Sequence, residues 1–229
     1  MKFAVVTGAS GNLGQAVIQK FLDEGYHVTG TVVPADPVKL DVSHPNLHLV
    51  EADLLNETAA AQVSQKVIES YGQIDVAVLT VGGFAMGSVA ETTAADLLRQ
   101  YKLNVETAYN VARPVFLQMM KQGSGRIFMI GARPGIDMKN SKGMVAYGMA
   151  KSLIFRLAEL MNEEAKGTNV VVAVVVPSTI DTPQNRKAMP NADYSKWVSP
   201  ASIASVIHFH CSDDAAALRE TVIKLYGNS

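Results

Sequence analysis

Several things that would place this chain at once are scarce in it. It has one cysteine, Cys211, which excludes an internal disulfide and a cysteine-built metal cluster. Its charges nearly cancel, 20 Lys and Arg against 21 Asp and Glu, for a net charge of −1. No long basic run is present, so nucleic acid and anionic membranes are poor partners. No apolar run approaches the roughly 18 residues of a membrane span; the longest, VVVAVVV at 170–176, reads as a buried strand. The opening MKFAVVTGAS has one lysine and an apolar run too short for a signal-peptide core. These absences predict a soluble, cytoplasmic protein. The five histidines are scattered, and His208 and His210 lie two apart on an expected helix, so they point different ways. No metal site is expected.

Apolar sequence is abundant, 48% of residues against 18% charged, enough for a sizeable core. The 229 residues suit one α/β domain over 1–229. Short β-branched runs alternate with helical stretches. Strands are expected at 3–6, 27–33, 47–53, 74–81, 126–130, 169–176 and 221–226. Helices are expected at 12–24, 57–71, 93–122, 144–166 and 200–211. The proline-bearing segment 34–46 is expected to be loop. Continuous apolar strands separated by helices predict a doubly wound, Rossmann-type domain. Its mostly parallel sheet of about seven strands carries helices on both faces. Ligands bind such sheets beyond the carboxyl ends of the strands.

Two motifs fall there. TGASGNLG (7–14) joins the first strand to the first helix, with Gly8, Gly11 and Gly14 three apart. Glycines permit a tight turn and let backbone amides approach a pyrophosphate at the helix N-terminus. AYGMAK (146–151) puts Tyr147 and Lys151 four apart, on one face of a helix.

The glycine loop resembles the T-G-x-x-x-G-x-G turn of the short-chain dehydrogenase/reductase family, and other landmarks follow in that family's order. Asp53-Leu54 matches its adenine contact. Val81-Gly82-Gly83 matches its Asn-Asn-Ala-Gly turn, with Leu79 and Thr80 replacing both asparagines. Asn104 in KLNVE matches its active-site asparagine, Tyr147 and Lys151 its Tyr-x-x-x-Lys. PSTIDT, Pro177 to Thr182 with Ile180, matches its Pro-Gly-x-x-x-Thr, with Ser178 replacing glycine. The resemblance covers nearly the whole chain. It implies an NAD(P)H cofactor held by Gly8, Ser10, Gly11, Asn12, Leu13 and Gly14, by Val32, Asp53 and Leu54, and by Val81, Gly82, Gly83, Lys151, Pro177, Ile180 and Thr182. An acid at the end of strand two would hold a ribose 2′-hydroxyl. Val32, Val33 and Pro34 stand there instead, which leans the choice towards NADPH over NADH. Lys39 or Asp36 in the following loop bears on the same choice.

A tyrosine is a weak acid at neutral pH. A nearby cation lowers its pKa, so Lys151 is expected to make Tyr147 a usable proton donor. The resemblance gives Asn104 a water that relays protons to Lys151. The family's serine after strand five is missing: Ala132 stands there, and Ser141 lies in the loop DMKNSKG. GMVAYGMAKSL and PSTIDTPQNRKAMPNADYSKW look like the quinonoid dihydropteridine reductase branch, which also has alanine at that place. GGFAMG (82–87) resembles that branch's Gly-Gly-aromatic turn, which implies Phe84 against a flat ring. Residues 181–199 read as a substrate lid, with Met189, Tyr194 and Trp197 as candidate ring walls and Arg186 and Lys187 as solvated charges. The alternatives are a reductase of another small carbonyl or quinone, and a dinucleotide sensor without turnover. The resemblance also implies a homodimer or homotetramer pairing helices 93–122 and 144–166.

Overall fold

The architecture is that of a computed structural model, which describes residues 1–35, 40, 42–139 and 141–228. In chain order the elements are β1 (Phe3–Thr7), α1 (Asn12–Asp23), β2 (His27–Val32), β3 (Leu47–Glu51), α2 (Glu57–Tyr71), β4 (Val76–Leu79), α3 (Ala94–Tyr101) and α4 (Thr107–Gln122). They continue with β5 (Ser124–Ile130), α5 (Val145–Glu164), β6 (Asn169–Pro177), α6 (Pro183–Ala188), α7 (Pro200–Phe209) and β7 (Val222–Leu225). All seven strands are parallel, in the order β3-β2-β1-β4-β5-β6-β7. From β1 the chain winds outward through β2 and β3, then returns to lay β4 on the other side of β1. That reversal leaves a crevice beyond the carboxyl ends of β1 and β4.

The strands are apolar on both faces because both faces are covered. Val5, Ala77, Ile127 and Val172 lie in one buried cluster with Val63 of α2, Val111 of α4 and Ile154 of α5. Ala4, Val78, Phe128 and Ala173 lie in another with Ile18 and Phe21 of α1 and Ile203 and Ile207 of α7. Helix ends follow local chemistry. The Asn56 side chain caps α2, Thr93 and Asp96 form a capping box on α3, and Gly72 and Gly123 take the left-handed conformation that ends α2 and α4.

The sheet class matches the expectation, with differences at the element ends. The strand expected over 74–81 is only Val76–Leu79, because Thr80 turns to donate to the Thr7 carbonyl at 2.6 Å. The strand expected over 47–53 ends at Glu51, and Asp53 forms a turn, accepting from the Leu55 amide at 3.0 Å. The helix expected over 93–122 is interrupted by a π-helical turn at Lys102–Glu106. Apolar periodicity does not distinguish one wider turn from the α-helix around it. Pro37, Asp36 and Lys39 lie outside the described residues.

Candidate active site

The glycine turn lies between β1 and α1. As it stands it reads T-G-x-x-G-x-x-G, which corrects the expected match: Asn12 occupies the place of the family's second glycine. Gly8 has φ +69°, and a Cβ on Gly14 would lie 2.1 Å from the Gly8 carbonyl oxygen, so neither position accepts a side chain. Gly11 precedes α1 with no side-chain cap, and no acid occupies the helix's first turn. Backbone amides at a helix N-terminus without a competing carboxylate suit a pyrophosphate. Asn12 Nδ2 donates to Gln184 Oε1 of α6 at 2.8 Å, tying the turn to the expected lid. Leu13 and Leu54 are buried, Val32 is half-buried and Asp53 is exposed. The Leu54 carbonyl accepts from buried Asn110 at 2.9 Å.

The second half of the site is built after β4 and β5 and on α5. Asn104, 1% exposed, sits in the π turn and clamps Gly83: its Oδ1 accepts from the Gly83 amide at 3.1 Å and its Nδ2 donates to the Gly83 carbonyl at 3.0 Å. Lys151 is buried and donates from Nζ to the Ile130 carbonyl at the end of β5, at 2.8 Å. A Cβ on Gly82 would lie 2.7 Å from Asn104 Oδ1 and 3.3 Å from Lys151 Nζ. The glycine therefore makes room where the two side chains converge. This bare turn, with an ammonium beside it, has room and charge for the ribose end of a dinucleotide.

Tyr147 is half-buried and Phe84 stands edge-on to its ring, with centroids 5.0 Å apart. Lys151 Nζ is 5.8 Å from the Tyr147 ring centroid. Burial pushes the Tyr147 phenol up to about 12 and the Lys151 ammonium down to about 8. This corrects the expectation that Lys151 lowers the tyrosine pKa. Loss of solvent disfavours the charged form of each group and is the dominant influence on both.

Ala132 is buried and extended at the start of a short 3₁₀ turn, Arg133–Gly135. Ser141 does not replace the missing hydroxyl there, because its Oγ donates to the Asp137 carbonyl in its own loop at 2.7 Å. Pro177 ends β6, Ile180 bridges to Val198, and the Thr182 side chain caps α6. Arg186 is an exposed charge, as expected, and makes a two-pronged surface ion pair with Asp181 at 2.6 and 2.8 Å. Tyr194 packs on Trp197 with centroids 4.8 Å apart and donates to the Pro190 carbonyl at 3.1 Å, so it braces the segment. Met189 is 40% exposed. Asp36 and Lys39, which bear on cofactor choice, are outside the described residues.

The structure thus gathers Asn104, Gly82, Gly83, Lys151, Tyr147 and Phe84 in one place, with Met189 and Trp197 on the separate 181–199 segment. Sequence reasoning missed the Ile130 carbonyl, Gln184 and Gln100. A Gln four residues before Asn104 was a readable signal for the last of these.

Residues 2–193 match the family model described as short chain dehydrogenase, and the chain belongs to the short-chain dehydrogenase/reductase family. Members of this family are oxidoreductases that use NAD(P)H. The chain is similar to an acetoacetyl-CoA reductase of Acinetobacter sp. (strain RA3849), 26% identical over 241 residues, covering 99% of this chain and 96% of the relative. It is equally similar to a 3-oxoacyl-[acyl-carrier-protein] reductase of Thermotoga maritima, 26% identical over 248 residues with 99% and 96% covered. In structure it resembles the ligand-free aldohexose dehydrogenase of Thermoplasma acidophilum. That comparison has a TM-score of 0.85 at 22% identity and covers 99% of this chain and 93% of the other. At that identity the likeness concerns the fold alone.

Proposed function

We propose that the protein reduces a flat, electron-poor heterocycle of the quinonoid dihydropteridine class with NAD(P)H, Tyr147 giving the proton. The observation that carries this reading is the donor set. One phenol stands beside a buried lysine, a phenylalanine ring stands edge-on to it, and an alanine occupies the place of a second hydroxyl. Reduction of a ketone builds charge on one oxygen, and losing a donor to that oxygen costs about 2.7–4 kcal/mol in comparable oxyanion sites. A quinonoid dihydropterin spreads the incoming charge over its ring, so one proton donor suffices.

In this reading the turn residues Gly8, Ser10, Gly11, Asn12, Leu13 and Gly14 hold the pyrophosphate. Val32, Asp53 and Leu54 line the adenosine end. Val81, Gly82, Gly83, Lys151, Pro177, Ile180 and Thr182 hold the nicotinamide end. When bound, the reduced dinucleotide supplies the hydride. Tyr147 supplies the proton, Lys151 holds positive charge beneath it, and Asn104 fixes the turn at Gly83. Phe84, Ala132, Met189 and Trp197 wall the substrate, and 181–199 closes over it within one domain of 1–229. Val32 and Val33, not an acid, stand at the end of β2 where a carboxylate would hold a ribose 2′-hydroxyl, which favours NADPH. Exposed Leu98, Tyr101, Met149 and Leu153 on α3 and α5 support a homodimer or homotetramer, and the composition supports a cytoplasmic location.

Oxidation of NADPH and NADH with quinonoid dihydrobiopterin, measured beside a panel of aldehydes, ketones and quinones, tests the reading. Turnover confined to the panel would sink the pterin assignment. Tight dinucleotide binding with no turnover would make the protein a sensor.

A further inference from the structure

Gln100 is four residues before Asn104, on the last turn of α3, and is 3% exposed. Its side-chain oxygen accepts from Asn104 Nδ2 at 3.0 Å, and its main-chain carbonyl accepts from the same nitrogen at 3.1 Å. The direction of these bonds is set by the backbone. The Gly83 amide can only donate, so the Asn104 atom facing it is the oxygen, and the Asn104 NH₂ must face Gln100. An asparagine amide in a buried slot is held most firmly when every group of both ends is matched. The two hydrogens of Asn104 Nδ2 are shared among three acceptors, the Gly83 carbonyl and the two Gln100 oxygens, so the Gln100 side chain adds to a site the backbone already orients. The same Gln100 carbonyl thus accepts from a side chain that belongs to the π turn Lys102–Glu106.

The chain of contacts continues to the reacting groups. Asn104 fixes both polar groups of Gly83, and Gly82 is the residue whose missing Cβ leaves room for Asn104 Oδ1 and Lys151 Nζ together. We propose that Gln100 is a positioning residue for reduction: it fixes the Asn104 amide, which seats the Gly82-Gly83 turn against Lys151 beside Tyr147. This rests on the proposed roles of Tyr147 and Lys151.

The test uses Gln100→Met, close in size and without an acceptor, and Gln100→Glu, which keeps an acceptor oxygen towards Asn104. Both are assayed with NADPH and the best substrate of the panel above, alongside Tyr147→Phe. One buried hydrogen bond supports an expected fall in kcat of about three- to tenfold for Gln100→Met. Dinucleotide Kd is expected to stay within about twofold, the split of a residue acting on the reacting groups rather than on binding. The alkaline limb of its pH profile moves up, as a loosened turn lets water reach Lys151. Gln100→Glu retains most of kcat. In an Asn104→Ala background Gln100→Met has no further effect, because residues acting through one another are not additive. Equal impairment in Met and Glu variants, an unmoved limb, or full additivity with Asn104→Ala overturns the proposal. If Gln100→Met does not fold, Gln100→Glu with impaired kcat and an unchanged melting temperature overturns it alone. An active Tyr147→Phe enzyme, or no wild-type turnover, instead overturns the proposed function and this inference with it. A dead Tyr147→Phe beside a wild-type Gln100→Met overturns this inference only.

Discussion

Lys151 Nζ donates to the main-chain carbonyl of Ile130 at 2.8 Å and stands 5.8 Å from the centre of the Tyr147 ring. The lysine is thus seated on the end of β5, and its relation to the tyrosine is one of shared burial. Each group responds to loss of solvent in its own direction, the phenol upward and the ammonium downward. The separation has consequences for the pH dependence of any turnover.

With its pKa brought down to about 8, Lys151 is cationic below that pH and loses its charge above it. Tyr147, pushed up to about 12, keeps its proton throughout the usual range. If positive charge beneath Tyr147 is needed, kcat/KM for reduction falls on the alkaline side with a midpoint near the lysine value, well below the phenol's. That profile reports groups of the free enzyme. Lys151→Arg, always charged, should remove the limb even if its absolute rate is lower. A limb that survives unchanged in Lys151→Arg would assign it to another group.

Tyr147→Phe removes the proton donor and keeps the ring that meets Phe84. General acid catalysis contributes about 10²–10⁴-fold, and a loss of that order in kcat is expected. Dinucleotide affinity, read by fluorescence titration, should change little. An unchanged kcat would remove Tyr147 as the acid.

Much of this was legible in the residues, for reasons that differ from part to part. Strand and helix order follows from buried β-branched runs such as 170–176, which need covering on both faces. The Tyr147–Lys151 pair follows from helical spacing. The π turn at Lys102–Glu106 was not legible, because it depends on where the Asn104 amide finds partners on Gly83 and Gln100, contacts spanning 21 residues as well as four. The direction of the Tyr147 pKa was missed for a related reason. Sequence spacing shows that a cation is near, whereas burial, which dominates, is a property of the packed chain. The ion pair of Arg186 with Asp181 was not legible, because Asp181 lies five residues back around the start of a six-residue helix.

Ala132→Ser restores a hydroxyl after β5. With ketones, whose reduction concentrates charge on one oxygen, an added donor should raise kcat, up to about 10²-fold if its geometry matches that of an oxyanion donor. With quinonoid dihydrobiopterin the change should stay within about threefold, no more than one ordinary hydrogen bond supplies. Parallel assays of both substrates on the one variant check this. A large gain with the pterin would show that the second donor matters to its reduction and would remove the reason given for the alanine.

The glycine turn permits a sharper comparison, because two glycines near α1 differ in what surrounds them. A Cβ at Gly14 meets the Gly8 carbonyl oxygen at 2.1 Å and the Gly8 carbonyl carbon at 2.9 Å. Both are backbone atoms of a residue already held at φ +69°, so neither can yield without moving the turn. Gly25, at φ +78°, has nothing within 4 Å of its would-be Cβ. Gly25→Ala therefore carries only the left-handed backbone penalty, about 1–2 kcal/mol, and leaves dinucleotide binding alone. Gly14→Ala should cost a similar 1–3 kcal/mol of stability through overpacking. In addition it should weaken NADPH binding by at least about tenfold, since the displaced amides are those proposed to meet the pyrophosphate. Thermal melts with and without NADPH separate the two effects. The Gly25→Ala protein should keep its full ligand-induced rise in Tm, and the Gly14→Ala protein should lose most of it. Equal rises in both would mean that the turn tolerates a side chain at 14 and that the phosphates are held elsewhere.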